Sequence, residues 1–189
     1  MTSFPTRDTL SRVALSATIY NIAIDLSDVD RHVYETLELK LAQHPSEAIE
    51  YMVARLLAYC LEYTEGIELT QGVSAGDDPA VLVRDLTGRV TAWIEVGAPD
   101  ADRLHRASKA AARVAVYTHR DPRLMTAQLE GKKIHRREEL EVIVLDRALV
   151  GKITERLDRR SSLSISVHDR HLYVTIGDDT FDAELLRIP

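Results

Sequence analysis

The chain has 189 residues and a mass of 21.2 kDa, with 45% hydrophobic and 29% charged residues, a balance that suits one well-buried domain and excludes a disordered chain. Its formal charge of −6 weighs against tight, sequence-independent DNA binding, which usually shows as a basic excess, although a local basic patch remains compatible with it. A lone cysteine, Cys60, excludes an intramolecular disulfide, and no apolar run reaches the ~20 residues of a membrane span. No apolar stretch follows Arg7 as it would in a secretory leader, so a cytoplasmic location is expected by elimination.

Residues 1–12 are polar and without period, and are expected to form a disordered extension to a single domain over 13–189. Deleting them should leave the melting temperature nearly unchanged. Strand pattern begins at Ala17, with Tyr20, Ile22, Ile24 and Leu26 on one face, and resumes after the turn Ser27–Asp30 with alternation from Val33 to Leu41. Two such runs read as a long β-hairpin. His44-Pro45-Ser46 closes it and predicts a helix capped by Ser46. Ile49, Met52, Val53, Leu56, Leu57 and Cys60 then recur at helical spacing to about Tyr63, with Cys60 read as a buried small side chain.

Gly66 stops that helix, Ile67–Thr70 reads as a short strand, and a turn-rich stretch runs to Pro79. Val81–Val83 and Val90–Ile94 read as two buried strands around Thr87-Gly88. A helix is predicted over about 100–112, then a strand at Val114–Tyr117, a helix at Pro122–Leu129, a strand at Leu140–Leu145 and a helix at Arg147–Leu157. The last segment alternates through Leu163, Ile165, Val167, Leu172, Val174, Ile176 and Phe181, which predicts a terminal β-meander. The order predicts an α/β fold with helices packed on a mixed sheet.

Chemistry concentrates in the middle of the chain. Asp77 and Asp78 stand before Pro79 at the mouth of one strand, and Glu95 closes the next. If those strands pair antiparallel, Asp78 and Glu95 meet at one sheet edge. Two close carboxylates repel unless a divalent cation fills the gap, and hard cations such as Mg²⁺ favour such oxygen sites. Glu47, in the first turn of the preceding helix, is a third acid, although the helix dipole alone would account for it. Asp before Pro is equally a common turn former. The five histidines from His105 to His171 have no metal-ligand spacing, and the clusters Arg120–Arg123 and Lys132–Arg137 read as exposed basic loops.

His44-Pro45-Ser46-Glu47, Gly76-Asp77-Asp78-Pro79, Trp93-Ile94-Glu95-Val96-Gly97 with Pro99-Asp100, and the helix beginning Arg103-Leu104 resemble the landmarks of the YaeQ family over residues ~14 to 187. That family is similar to PD-(D/E)XK nucleases, which implies a restriction-endonuclease-like core of helix, three strands, helix and strand. Here the N-terminal β-hairpin and C-terminal β-meander would flank it. The resemblance implies Asp78, Glu95 and Glu47 as ligands of Mg²⁺, with Mn²⁺ as substitute.

The motif lysine falls on Gly97, which can neither orient a water nor stabilise developing charge. A replacement cation would come from the next helix, where Arg103, Arg106, Lys109 and Arg113 are available, although helical geometry places Arg106 and Lys109 opposite the packing side. The sequence therefore supports two readings. One is a metal-dependent phosphodiesterase or nuclease working through Glu47, Asp78, Glu95, Arg106 and Lys109. The other is an inactive nuclease-fold module that binds nucleic acid or a protein partner. Neither involves a membrane.

Overall fold

The N-terminal hairpin and the C-terminal meander, which look like separate appendages in sequence, fuse into one sheet. The computed structural model describes residues 17–70 and 76–188. Strands β1 (Thr18–Asp28) and β2 (Val33–Gln43) pair antiparallel, Ile22 opposite Leu39 and Ile24 opposite Leu37. The other side of β1 pairs parallel with β8 (Arg160–His168), which continues through β9 (His171–Ile176) and β10 (Asp179–Glu184). The sheet order is β10-β9-β8-β1-β2. Its inner face carries the alternating apolar residues, Ile22, Ile24, Leu26, Ile165 and Val174 among them, each 3% exposed or less. The outer face is polar.

A second, six-stranded sheet holds the rest, running from an edge strand β11 (Leu186–Ile188) in the order β11-β7-β6-β5-β4-β3. Strands β3 (Ile67–Leu69), β4 (Val81–Arg84) and β5 (Val90–Val96) form an antiparallel meander. Strand β5 then runs parallel to β6 (Arg113–Thr118), and β6 parallel to β7 (Glu141–Val144). Helix α1 (Ile49–Leu61) and helix α4 (Arg147–Arg156) lie in the apolar layer shared by the two sheets. Helices α2 (Ala101–Ala110) and α3 (Pro122–Leu129) cover the opposite face of the second sheet through Leu104, Ala107, Met125 and Leu129. Because α1 is walled by sheet on one side and sheet on the other, every residue from Met52 to Leu61 is buried. Cys60 shares that burial, which pushes its thiol up to about 12 and makes it inert at neutral pH.

Several boundaries differ from the sequence reading, and each has a local cause. Helix α1 starts at Ile49, not Ser46, and its N-cap residue, Ala48, offers no capping side chain. Ser46 is engaged elsewhere, its hydroxyl 2.6 Å from Nδ1 of His44. The carboxylate of Glu47 closes that preceding turn by accepting from the His44 amide at 3.1 Å. A 3-10 turn at Arg137–Glu139 and the edge strand β11 (Leu186–Ile188) were not anticipated, and β11 leaves the meander to pair with β7 in the other sheet. The proposed extension, residues 1–12, lies outside the described residues.

Two features fix how the layers join. Arg113 at the start of β6 donates from Nη1 to Glu62 at 2.6 Å and from Nε to Glu141 at 2.7 Å, while the Tyr117 hydroxyl donates to Glu62 at 2.7 Å. The Arg113 hydrogen bond holds the Glu141 carboxyl below its ordinary value of 4.5. A lowered folded-state pKa contributes stability that is present above the unfolded value and lost as pH falls through the folded one. Thermal melts from neutral to acidic pH should therefore show an acid limb that is shallower in Glu141→Gln, with a lower melting temperature for the variant at neutral pH. An unchanged limb would remove Glu141 from the acid response.

Gly66, at φ +81°, sits where a Cβ would overlap the carbonyl oxygen of Arg84, whose own amide donates to the Gly66 carbonyl at 2.9 Å. Gly66→Ala should destabilise the fold by roughly 2–4 kcal/mol, since it combines a strained φ with a clash against paired backbone. A denaturant midpoint within error of the parent would contradict this.

Candidate functional site

The carboxyl end of β5, an interior strand of the second sheet, lies beside the first turn of α1 through Tyr51 and Gly97 and beside the first turn of α2 through Glu95 and Arg103. Glu95 lies one residue before the end of β5 and is only 3% exposed. A buried carboxylate must be hydrogen-bonded or paired, and Oε1 of Glu95 is both. It accepts from the indole of Trp93 at 2.7 Å and from Nε of Arg103 at 2.7 Å. Arg103 stands in the first turn of α2, where its amide also donates to the N-cap side chain of Asp100 at 2.7 Å.

The remaining nitrogens of Arg103 are spent on the loop before β4. Nη1 donates to the carbonyl of Gly76 at 3.1 Å and Nη2 to that of Asp78 at 2.5 Å. Asp78 thus contributes its backbone to this contact. Its side chain is exposed, and no hydrogen bond or ion pair to it occurs among the described residues. Asp77 is nearly fully exposed and lies 3.8 Å from Arg106, a separation and exposure that contribute little.

Glu47 is equally committed. Its carboxylate, with no exposed side-chain surface, accepts from Nη1 of Arg55 at 2.9 Å in addition to the His44 amide. Arg55 is itself 2% exposed and donates from Nη2 to the carbonyl of Thr70 at 2.7 Å. Tyr51 is near enough to feel the charges of both pairs. Burial raises its phenol above the ordinary value, the charges of Arg55 and Arg103 act against that shift, and those of Glu95 and Glu47 act with it. The ring of Tyr51 also borders Gly97, 3.7 Å from where a Cβ would stand. Gly97 has φ +95° and donates its amide to Tyr117 at 2.9 Å. Left-handed backbone of this kind disfavours any L side chain at this position, a lysine included.

The acids and the cations of this region therefore form two pairs, Glu47 with Arg55 and Glu95 with Arg103. Among the described residues no group of three or more His, Cys, Asp or Glu is placed to hold a metal ion. A divalent cation at Glu95 would share the carboxylate with a guanidinium, and Glu47 has both oxygens occupied. In this arrangement the residues do not fit a resident Mg²⁺. Arg106 and Lys109 stand on the exposed side of α2, opposite the buried Leu104, Ala107 and Ser108, as helical spacing predicted. Of the residues that complete the region, Arg103 was among the cations considered and Arg55 and Tyr51 were not. The available signal for Arg55 was a charge inside the otherwise apolar run Met52–Leu61 of α1.

Fold and site together define a mixed α+β protein with two mixed sheets, whose site is built from arginine-paired carboxylates at the carboxyl end of β5 and the turn before α1. Residues 13–185 match the YaeQ protein family, and the chain belongs to it. It is 31% identical over 175 residues to YaeQ of Escherichia coli (strain K12) and of Salmonella typhi, spanning 92% of this chain and 96% of each relative. The crystal structure of YaeQ from Pseudomonas syringae superposes with a TM-score of 0.82 at 28% identity, over 92% of this chain and 96% of that one. YaeQ from Xanthomonas axonopodis pv. citri superposes at 0.80, also with 28% identity, covering 92% and 97%. No helix among the described residues is long and apolar enough to cross a membrane.

Proposed function

We propose that this chain is a nuclease-like module of the PD-(D/E)XK type whose acidic centre is held by arginine in place of metal, and that it binds nucleic acid through phosphate contacts without hydrolysing it. The order α1, β3, β4, β5, α2, β6, with β5 parallel to β6, supports the assignment of the core. The observation that carries the functional reading is Arg103, seated on Glu95 and the Asp78 carbonyl with every nitrogen used. Exposed Arg106 and Lys109, one helical turn apart beside that clamp, supply the phosphate contacts.

Fluorescence anisotropy with single- and double-stranded DNA and RNA oligonucleotides tests the proposal. Binding should weaken steeply between roughly 50 and 200 mM salt. It should also weaken in Arg106→Ala and Lys109→Ala, and no cleavage should accompany it in Mg²⁺ or Mn²⁺. Absence of binding to every oligonucleotide at low salt would end the nucleic-acid reading. A metal-dependent phosphodiesterase is the second reading. It draws on Oε2 of Glu95 and the Asp78 carboxylate, oxygens without a hydrogen bond among the described residues. Cleavage abolished by EDTA, by Asp78→Ala and by Glu95→Ala would establish that reading instead.

A further inference from the structure

The second sheet contains a topological switch beside the region described above. After β6 the chain turns to α3, which packs on the α2 side of the sheet, whereas after β7 it turns to α4, which packs on the α1 side. Adjacent parallel strands whose connections leave to opposite faces open a crevice at their carboxyl ends, the usual place for a ligand in such sheets. Here the two strand ends stay tied, Leu145 donating its amide to Thr118 at 2.8 Å, and the crevice beyond them measures about 430 Å³. That volume is in the range of small-molecule sites.

Charge in the crevice is unevenly engaged. Asp121 and Asp146 cap α3 and α4 by accepting from the amides of Arg123 at 2.9 Å and Leu149 at 2.7 Å. Glu184 lies 3.8 Å from Arg170. By contrast, Arg120, in the loop between β6 and α3, and Arg147, the first residue of α4, both line the crevice, and neither guanidinium has a hydrogen bond or ion pair among the described residues. His119 lines the same crevice, half-buried, and its Nδ1 is buried with no hydrogen-bond partner among the described residues. Burial first, and then the charges of Arg120 and Arg147, lower its pKa against the opposing pull of Glu50, so both arginines bear on one ring. The crevice is also lined by Val144, Ala183 and Leu186.

We infer that this crevice binds a small phosphorylated molecule, its phosphate held between Arg120 and Arg147 and its organic part against the apolar wall. Two guanidiniums offer more donors than a carboxylate's two oxygens use, and a phosphate monoester has three terminal oxygens. The inference stands independently of the arginine clamp at Glu95, which involves neither Arg120 nor Arg147.

The test is an NMR titration of the full chain with inorganic phosphate and with phenyl phosphate, using benzoate and matched NaCl as controls. Saturable shifts are expected at the amides of Arg120, Asp121, Arg147 and Leu149, with phenyl phosphate binding tighter than inorganic phosphate and benzoate weakest. Arg120→Gln and Arg147→Gln should each weaken phenyl phosphate by about tenfold, and the pair should abolish binding, with melting temperatures unchanged because both side chains are exposed. The titration midpoint of His119 should rise in the presence of phosphate, since a nearby anion favours the protonated ring. No saturable shift by about 20 mM ligand, shifts centred elsewhere, or undiminished binding in the double variant would overturn the inference. So would perturbation of these amides by oligonucleotides alone, which would make the crevice part of a nucleic-acid surface.

Discussion

Arg55→Ala is expected to destabilise this protein by about 3–5 kcal/mol, because it strands a buried carboxylate. Glu47 has no exposed side-chain surface and would keep the His44 amide as its one donor among those described, while the Thr70 carbonyl would lose the Arg55 donor. For a chain of this size such a loss corresponds to a melting temperature lower by roughly 10 °C. Removing both charges together should behave differently. Arg55→Met with Glu47→Gln replaces an ion pair by groups of similar volume, and such exchanges are often nearly neutral. The double variant should therefore recover most of the stability lost by the single one, a coupling that a double-mutant cycle in denaturant measures directly. If the single substitution costs less than about 1 kcal/mol, or the double is no better than the single, Glu47 is not held as a structural ion pair.

How much of this was legible in sequence depended on the range of the interaction. The hairpin, the run of β4 and β5, helix α3 and the terminal alternation are set by local periodicity, and they stand within a few residues of where the pattern put them. The two-sheet partition was not legible, because nothing local distinguishes Leu185, which ends the apolar alternation of the meander, from Leu186, which opens the edge strand of the other sheet. The start of α1 was misplaced because Ser46 in a first turn reads as a cap, whereas the His44 ring takes it. Glu47 and Glu95 stood out in sequence by their positions after turn and strand signals. Their partners were not. Arg55 is eight residues from Glu47 and Arg103 is eight from Glu95. A helix and a strand-to-helix connection bring these pairs together, and no fixed spacing encodes either contact.

Arg103→Ala should produce the other large effect, and it separates a clamp from a metal centre held in check. The side chain is one-quarter exposed and donates to Glu95 and to two carbonyls of the loop before β4. Its loss should cost about 2–4 kcal/mol, since Glu95 would keep the Trp93 indole as its remaining donor while staying buried. The same substitution removes the positive charge that opposes a cation at Glu95. The parent protein should show no saturable Mg²⁺ or Mn²⁺ uptake by calorimetry. The variant should gain it, with a dissociation constant near 1 mM. At about 10 mM metal that affinity restores roughly 1.4 kcal/mol, read as a melting temperature higher by about 3–6 °C. Adding Glu95→Gln should abolish the metal response, because an amide cannot replace the anionic ligand. Arg106→Ala and Lys109→Ala should leave both stability and metal uptake as in the parent, for they touch neither carboxylate. Tight metal uptake by the parent would show that Arg103 yields to the cation, and the hydrolytic reading would replace the clamp. A variant that loses stability yet takes no metal would instead leave Arg103 as a purely structural brace between α2 and the loop before β4.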